Sequence, residues 1–330
     1  MDLVVKISDR CNFACTFCSS NQIAVNHKDL DIEKLKSFIH AHKNINNIIV
    51  NGGDPLMVSP EYYENLLQFI EGNKLGIHVS FTTNLLAFWK DPDKWTPILK
   101  RVGVCTSFQY GNDRRLADGT VFSEEMFREV FKLFEKRVGY KLKFITVINE
   151  NNEDTVMKTV QLAKELGTTC KINGALMSGR TTSPYPFYKM VEHYIDIIKA
   201  GYGQYEDNCA LIGDAFKGSI TECPFNKKCH ESIRCMSPDG TVHSCPAIAD
   251  DILKGVPEAI KCTGAKLEFD YTVVNANCPA CKCYNICNSC TKRIMDLKNS
   301  NTAEEHCRNM KKLIKKMEKW FDEDNLYKTN

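Results

Sequence analysis

The sequence lacks an excess of charge of either sign: 43 lysine and arginine residues stand against 41 aspartate and glutamate residues, so the formal net charge is +2. A nearly neutral chain has no long-range attraction for nucleic acid or for an anionic membrane. The stretch from Met1 to Lys6 carries an acid at position 2 and only three consecutive apolar residues. It resembles neither a secretion signal nor a membrane span. We therefore expect a cytoplasmic protein with no nucleic-acid partner and no membrane partner.

Repeats and low-complexity tracts are also missing, and 43% hydrophobic residues over 330 positions suits a large globular domain with a smaller one. Cysteine, in contrast, is abundant, with 17 residues. Disulfides do not persist in a reducing cytoplasm, so metal ligation is the leading explanation for the cysteines that cluster. Isolated cysteines such as Cys105 and Cys170 are better interpreted as small buried hydrophobic residues.

Short apolar runs alternate with amphipathic stretches from residue 3 to about residue 201. This alternation is typical of βα units and a parallel sheet. The six predicted strands are Leu3 to Ile7, Asn46 to Val50, His78 to Thr83, Gly103 to Phe108, Lys141 to Ile148 and Thr169 to Ala175. Ser59-Pro60 and Ser183-Pro184 predict helix starts, because a serine cap before a first-turn proline favours a helix N-terminus. Gly72 and Gly167 predict helix ends.

Six βα units predict either an open doubly wound sheet or a partial barrel, and in both the chemistry belongs at the carboxyl ends of the strands. Polar residues and cysteines fall at these ends. Cys11, Cys15 and Cys18 lie in the loop after the first strand, the run from Asn51 to Pro55 follows the second, and Asn84 and Ser107 end the third and fourth. We expect these residues to meet at one rim.

The motif Cys11-x3-Cys15-x2-Cys18 supplies three thiols within eight residues. A [4Fe-4S] cluster bound by three cysteines keeps one iron open to a ligand, whereas four cysteines make an electron carrier. Structural zinc is the alternative, but zinc requires four ligands and only His27 is near. The motif therefore favours a cluster with an open iron.

This spacing, with Phe17 directly before the last cysteine, resembles the signature of the radical S-adenosylmethionine (SAM) superfamily. The resemblance implies a partial (β/α)6 TIM-type barrel, a SAM-binding [4Fe-4S] cluster, and reductive cleavage of SAM to a 5'-deoxyadenosyl radical. It also implies that Gly52, Gly53 and Asp54 correspond to a Gly-Gly-Glu motif that contacts the SAM amino group, with aspartate replacing glutamate. Glycines allow backbone carbonyls to approach an ammonium group closely.

The same resemblance places Phe17 near the adenine. It makes Asn84, Ser107 and Arg115 candidate contacts of the SAM ribose or carboxylate, although each is equally explained as a polar residue at a strand end.

The region after residue 202 is rich in cysteine and resembles the SPASM extension of radical SAM enzymes. Family pattern implies two auxiliary [4Fe-4S] clusters, one on Cys229, Cys235, Cys245 and Cys290 and the other on Cys278, Cys281, Cys287 and Cys307. Two departures leave a ligand exchange open, because Cys287 and Cys290 are separated by two residues where three are usual, and Cys283 intrudes. A zinc ion on Cys278, Cys281, Cys287 and Cys290 is the alternative.

The predicted domains are the barrel (1–201), a bridging segment (202–228), the SPASM module (229–310) and a C-terminal helix and tail (311–330). The last helix should run from about Ala303 to Trp320. Among the cysteines outside the predicted clusters, Cys223 is our candidate for a hydrogen-atom donor to a substrate radical.

The resemblance implies an enzyme that modifies a peptide, by thioether or carbon-carbon crosslinking or by epimerisation, with a reductant such as flavodoxin or ferredoxin. Formylglycine formation is disfavoured, because Pro246 replaces the aspartate of that branch and Ser107-Phe108-Gln109 replaces Ser-Leu-Asp. We expect a short peptide, or one presented by a separate leader-binding protein. The alternatives are modification of a small molecule such as an amino sugar and, outside enzymes, an electron carrier or a zinc-stapled scaffold.

Overall fold

A computed structural model of the chain describes residues 1–18, 28–177, 181, 184–216, 223, 225, 229–253, 273–287 and 290–322. The chain divides into two compact units. Unit 1 is Met1–Ile145, Ser178–Thr181 and His230–Thr263, and unit 2 is Thr146–Met177, Thr182–Cys229 and Gly264–Asn330. The four domains expected from the sequence stay a prediction. Among the described residues, no helix has both the length and the apolar character that a membrane crossing requires.

The described strands are β1 (Asp2–Ser8), β2 (Asn47–Gly52), β3 (His78–Thr82), β4 (Gly103–Ser107), β5 (Lys143–Ile148), β6 (Cys170–Gly174), β7 (Ile233–Met236) and β8 (Val242–His243). Their order in the sheet is β6-β5-β4-β3-β2-β1-β7-β8. Strands β1 to β5 pair in parallel with their neighbours, as does β7 with β1, whereas β8 is antiparallel to β7. The predicted α/β fold is confirmed, and the six predicted strands lie within two residues of the observed ones.

The order of β1 to β6 in the sheet follows their order in the chain. A doubly wound sheet reverses its strand order at a switch point, and this sheet does not. The partial (β/α)6 barrel is therefore the one of the two expected architectures that the topology supports. The carboxyl ends of parallel strands share one edge, which is where the loops after β1 to β4 lie.

The described helices are α1 (Ile32–Ala41), α2 (Pro60–Gly72), α3 (Leu86–Lys90), α4 (Pro92–Leu99), α5 (Glu124–Val138), α6 (Val156–Leu166), α7 (Phe187–Lys199), α8 (Asp207–Phe216), α9 (Cys229–Ser232), α10 (Pro246–Leu253), α11 (Tyr284–Cys287), α12 (Thr291–Asn299) and α13 (Ala303–Asp322). Helix α2 begins after Ser59 with proline in its first turn, and α6 ends at Gly167 in the left-handed conformation, as predicted. The last helix also begins at the predicted Ala303 and extends two residues beyond Trp320.

Helix α7 begins later than predicted, at Phe187 after Pro186, while Ser183 lies outside the described residues. The Tyr185 amide donates to the carbonyl oxygen of Ala175 at 2.8 Å, which holds this segment beside the chain that leaves β6. A residue before proline also prefers an extended backbone. The serine-proline signal was therefore outweighed by a second proline and a pairing to a distant residue.

Aromatic side chains form much of the core of unit 1. The rings of Phe108 and Phe127 stack with centroids 4.6 Å apart, and Phe144 approaches Phe127 at 5.2 Å. All three are almost completely buried. Because Phe108 directly follows β4 and Phe127 lies on α5, this packing ties the strand end to the helix that covers it.

A buried ion pair anchors α12 within unit 2. Lys292 Nζ lies 2.5 Å from Asp296 Oδ1, with side-chain exposures of 3% and 2%, and it also donates to the Met177 carbonyl oxygen at 2.9 Å. The Met177 amide in turn donates to Asp296 Oδ2 at 3.3 Å. Burial of both charges is tolerated because each finds further hydrogen-bond partners.

Two glycines set the distance between the loop after β2 and the loop after β1. The Gly53 amide donates to the Ser8 carbonyl oxygen at 2.7 Å, and the Asp54 amide donates to that of Arg10 at 2.8 Å. A Cβ atom on Gly53 would stand 2.1 Å from the Arg10 carbonyl oxygen, and Gly52 has a φ of +129°. A side chain at Gly53 therefore has no space without backbone movement.

We predict that Gly53→Ala lowers the free energy of unfolding by about 1 to 3 kcal/mol, because overpacking here meets backbone atoms. Urea unfolding of the variant and the unmodified protein measures the change. Gly72→Ala is the matched control, since nothing lies within 4 Å of a Cβ atom there. Equal stability of both variants would contradict the close contact.

Candidate active site

The loop with Cys11, Cys15 and Cys18 is held in place by the segment that follows β4. The Ala14 amide donates to the Arg115 carbonyl oxygen at 2.8 Å, and the Thr16 amide donates to that of Asp113 at 2.9 Å. The Thr16 hydroxyl also donates to Asp113 Oδ1 at 2.6 Å. Backbone pairing therefore fixes a loop that has no regular secondary structure of its own.

The three thiols lie close enough to influence one another. Burial, then the charge of Asp54, and then the other two thiols raise the pKa of Cys11 to about 12, although the Phe13 amide donates to its sulfur at 3.3 Å. Burial penalises a free thiolate in this position. A bound cation reverses this penalty, because coordinating thiols are deprotonated by the metal.

Asp54 is buried, and its carboxylate connects two segments at the rim. Its carboxylate accepts hydrogen bonds from the Leu56 amide at 2.9 Å, the Asn84 amide at 2.7 Å and the Thr83 hydroxyl at 3.0 Å. With these donors in place, Asp54 joins the turn after β2 to the end of β3.

Asn84 lies beside the cysteine loop, as expected from its place after β3. Its Nδ2 atom donates to Asn12 Oδ1 at 2.7 Å and lies 3.7 Å from Cys11 Sγ. Its Oδ1 accepts from the Leu86 amide at 2.8 Å. The side chain is therefore oriented at both ends, one of them toward the first thiol of the motif.

Arg114 is the residue that sequence reasoning missed. Its guanidinium is 5% exposed, lies over the ring of Phe13 at 4.7 Å and over that of Phe122 at 5.7 Å, and donates to Ser107 Oγ at 2.7 Å. Burial lowers its pKa, and the charges of Cys15, Cys11 and Asp54 oppose this shift. Arg114 thus places a buried cation among the groups of the rim.

Arg115, which the sequence suggested instead, is half-buried and donates to the Gly119 carbonyl oxygen at 3.1 Å. Phe17 is partly exposed, and its carbonyl oxygen accepts from the Thr181 hydroxyl at 3.4 Å. His27 lies outside the described residues. The structure therefore places Ser107 and Asn84 at the rim with Asp54. The arginine that lies with them is Arg114 and not the predicted Arg115.

The buried polar atoms that have no hydrogen-bond partner in the described part of the chain include three near the carboxyl ends of β2 and β4: Asn51 Oδ1, Gln109 Nε2 and Arg114 Nε. An unpaired buried polar atom costs about 1 to 3 kcal/mol, so a native protein retains such atoms where a ligand or water satisfies them. Asn51 is the second-to-last residue of β2, and the other two residues follow β4. Donors and an acceptor of this kind fit a zwitterionic ligand held beside a cluster on the three thiols.

The eight cysteines predicted to bind auxiliary clusters fall in both units. Cys235 on β7 is fully buried against Val4 and Ala249. Cys245, just before α10, is also in unit 1, whereas Cys229 and Cys290 belong to unit 2. The expected first auxiliary cluster on these four residues stays a prediction.

The other four predicted ligands, Cys278, Cys281, Cys287 and Cys307, line one small cavity of unit 2 together with Cys283. The Asn275 amide donates to Cys278 Sγ at 3.2 Å, and its side-chain Nδ2 donates to Cys307 Sγ at 3.3 Å. Hydrogen bonds to cysteine sulfur are a means by which proteins tune iron-sulfur clusters. In the described residues, no three metal-ligating side chains converge as ligands of a single ion would.

The remaining cysteines lie elsewhere. Cys105 is on β4, Cys170 is buried on β6 and Cys209 is buried on α8. Cys223 is exposed, and its carbonyl oxygen accepts from Lys171 Nζ at 2.7 Å. Cys262 falls outside the described residues. Exposure of Cys223 is compatible with its predicted role and does not test it.

The site combines three thiols in the loop after the first strand of a parallel βα sheet with buried polar atoms that no described residue pairs. This combination defines a class of enzyme that binds an iron-sulfur cluster and a polar cofactor. The model of the radical SAM superfamily matches residues 5–185, which is more than half of the chain. The chain belongs to the radical SAM superfamily. Membership implies a [4Fe-4S] cluster and SAM as its cofactors.

Curated relatives include several GTP 3',8-cyclases and a putative L-lysine 2,3-aminomutase of Aquifex aeolicus (strain VF5), the latter 23% identical over 178 residues, which cover 52% of this chain and 40% of the relative. The GTP 3',8-cyclase of Aquifex aeolicus (strain VF5) is 27% identical over 267 residues, which cover 74% of this chain and 81% of the relative. That of Staphylococcus haemolyticus (strain JCSC1435) is 24% identical over 282 residues, 74% of this chain and 78% of the relative.

Solved structures with a similar fold include two of anSMEcpe. The structure with bound AdoMet and Cp18Cys peptide has a TM-score of 0.65 and 16% identity, with 92% of this chain and 99% of that chain covered. The hexahistidine-tagged form with bound AdoMet has a TM-score of 0.62 and 16% identity, with 87% of this chain and 88% of that chain covered. At this identity the likeness shows the fold, which is the predicted partial barrel.

Asp54 leads to a prediction about pH. Burial raises its pKa from 3.8 to about 6, although its hydrogen bonds oppose the shift. Since the folded state holds this proton more tightly than the unfolded state, the contribution is fully present below pH 4 and lost as the pH rises through 6, a change of roughly 3 kcal/mol. Asp54→Asn cannot titrate and should lack this loss.

Urea unfolding of the protein without cofactors at pH 4.5 and 7.5 measures the effect as a difference between the two proteins. Glu129→Gln, an exposed position on α5, is the control and should follow the unmodified protein. A stability difference between Asp54→Asn and the unmodified protein that is the same at both pH values would show that Asp54 titrates normally.

Proposed function

We propose that this chain is a radical SAM enzyme with a SPASM-type C-terminal region that abstracts a hydrogen atom from a peptide. The modification would be a thioether or carbon-carbon crosslink or an epimerisation. The observation that carries the peptide proposal is the cavity of unit 2, where four thiols of the SPASM-like pattern lie together. A fold shared over 92% of the chain with a peptide-bound enzyme supports it.

When bound, the cluster and SAM supply an electron and a 5'-deoxyadenosyl radical, with a reductant such as flavodoxin or ferredoxin as the electron source. Cys11, Cys15 and Cys18 would hold the cluster. The backbone at Gly52 and Gly53 is free of side chains and suits a SAM ammonium group, while Phe17 would lie against the adenine.

Asp54 supports this site indirectly. Its oxygens already accept from two backbone amides and one hydroxyl, so its role is to hold Asn84 and the turn after Gly53 in place. An aspartate has the reach for these bonds and replaces the glutamate of the family pattern. The amino group of SAM would then meet backbone carbonyls and Asn51 Oδ1, an acceptor that lacks a partner in the described part of the chain.

Arg114 is better suited than Arg115 to bind the SAM carboxylate. It is buried, oriented by Ser107 and two aromatic rings, and has an Nε atom that no described residue pairs. A guanidinium binds a carboxylate through two parallel hydrogen bonds, and a fixed orientation reduces the entropy lost on binding. Gln109 Nε2 is a second such donor near the end of β4.

A nucleotide substrate is the second candidate. The GTP 3',8-cyclases named above are similar over 74% of this chain, and the name of these relatives gives GTP as what they act on. This would make the protein a small-molecule enzyme of the kind that the sequence left open. The two proposals share the same SAM chemistry and differ only in the molecule that loses the hydrogen atom.

The test of substrate class begins with anaerobically reconstituted, reduced protein. Release of 5'-deoxyadenosine from SAM is measured alone, with GTP, and with peptides encoded by short reading frames beside the gene. Deuterium transfer from a labelled peptide into 5'-deoxyadenosine would support peptide modification. Transfer from labelled GTP, with none from peptides, would overturn it in favour of the nucleotide.

We predict that Arg114→Lys weakens SAM binding about 10- to 100-fold, because a charge-assisted hydrogen bond contributes about 1.5 to 3 kcal/mol and lysine lacks the planar fork. Arg115→Lys is the matched control and should bind SAM within about twofold of the unmodified protein. Calorimetric titration of SAM into reconstituted protein measures both. If Arg115→Lys weakened SAM binding and Arg114→Lys did not, the SAM carboxylate would be bound by Arg115, the residue that the sequence suggested.

We also predict that Cys15→Ala abolishes SAM cleavage, whereas Cys307→Ala retains part of the cleavage and forms no product. The first change removes a ligand of the cluster that delivers the electron, and the second affects an auxiliary site. Liquid chromatography of 5'-deoxyadenosine and mass spectrometry of the substrate separate the two effects. Full turnover by Cys307→Ala would refute an essential auxiliary cluster.

A further inference from the structure

The thiol cavity of unit 2 contains one more cysteine than a four-iron cluster binds. Its lining includes the four predicted ligands Cys278, Cys281, Cys287 and Cys307, and the fifth thiol is Cys283. A cubane cluster takes one thiolate for each of its four irons. One of the five cysteines is therefore not bound to iron at any moment, and the contacts of the five sulfurs indicate which cysteines can replace one another as ligands.

Three of the thiols accept hydrogen bonds from nitrogen. Asn275 donates to Cys278 through its amide and to Cys307 through its side chain, and the Cys283 amide donates to the sulfur of Cys281. A sulfur that accepts N–H donors is prepared for the thiolate form, which is the form that binds metal. Cys278 and Cys307 share a single donor residue, so their positions are coupled.

Cys283 sits between two of the other thiols. Its side chain is hydrogen-bonded to those of Cys281 and Cys287, and it is only 4% exposed. Cys281 is more exposed than Cys283. A cysteine that was only a small hydrophobic residue would be surrounded by apolar side chains, whereas this one contacts two candidate ligands.

The Lys311 side chain adds a positive charge to the same cavity. It lines the cavity together with the five thiols. Burial of several thiolates together is costly without a compensating cation. The ammonium group of Lys311 therefore offsets part of this cost within the cavity.

We propose that Cys283 is an exchangeable ligand of the auxiliary cluster in unit 2, sharing one iron position with Cys281 while Cys278, Cys287 and Cys307 bind permanently. This inference rests on the proposed function. In the exchange, the Cys283 thiol would give its proton to water and bind the iron as a thiolate. The Cys281 thiolate would leave the same iron and take up a proton, so no electron would be transferred.

An exchangeable position has a functional meaning for a cluster near a substrate. Release of Cys281, on the more exposed side of the pair, would open one iron to a substrate group while the other three thiolates hold the cluster, and Cys283 would restore four-fold ligation once the substrate group has left. Two cysteines separated by one residue lie on a single short segment, so the exchange requires only local rotation of that segment.

The test compares Cys281→Ala, Cys283→Ala, the double variant and Cys278→Ala in anaerobically reconstituted full-length protein. Iron and acid-labile sulfide per chain are measured, and electron paramagnetic resonance records the reduced clusters. Each single change at Cys281 or Cys283 should retain the iron content of the unmodified protein. The double variant and Cys278→Ala should each lose about four irons, the content of one cluster.

The spectrum gives an independent measurement. Cys281→Ala should shift the signal of this cluster and its reduction potential, since a different cysteine then binds the iron that Cys281 binds in the unmodified protein. Cys170→Ala, a buried position on β6, is the control and should change neither iron content nor spectrum. This comparison remains decisive if the double variant does not fold.

Loss of about four irons from Cys281→Ala alone would overturn the exchange and leave the auxiliary cluster intact as a proposal. Full iron content in the double variant would also overturn it. If Cys278→Ala and the unmodified protein contain the same iron, the cavity holds no cluster, and the auxiliary part of the proposed function fails with it.

Discussion

The candidate site depends on the close approach of two backbone segments beyond the ends of β1 and β2. The amides of Gly53 and Asp54 pair with the carbonyls of Ser8 and Arg10, which continues the contact between the two strands into their loops. This pairing requires a residue without a side chain at position 53. It brings the buried carboxylate of Asp54 near Cys11 and, through Asp54, orients Asn84. A loop of three thiols thereby becomes part of a rigid rim.

Much of this fold could be predicted from the sequence, because β-branched apolar runs and helix caps are local signals. The strand bounds were found within two residues, and the cysteine loop and Asn84 lie at the edge where parallel strands end. Helix α7 was placed too early, since the pairing of Tyr185 with Ala175 is a contact between separate segments. Such contacts leave no periodic pattern in the chain.

The choice between Arg114 and Arg115 shows the same limit within the site. Both follow β4, and the sequence alone gives no reason to prefer one. The backbone of Arg115 pairs with Ala14, while the side chain of Arg114 is enclosed by Phe13 and Phe122. Those two rings come from the loop after β1 and the turn before α5. Which arginine these rings bury is therefore decided by the folded structure. The same holds for Asn51 and Gln109, whose buried polar atoms no described residue pairs.

Asn275 bonds one thiol through its backbone and another through its side chain, and the two thiols belong to segments that are far apart in the chain. Cys307 lies on α13, so the second bond forms only after that helix has packed. During synthesis, Cys278 and its neighbours leave the ribosome before α13, so Cys307 joins them only later. Through these two hydrogen bonds Asn275 joins the segment around Cys278 to α13, so the two sulfurs reach their places beside one another only when that helix has packed.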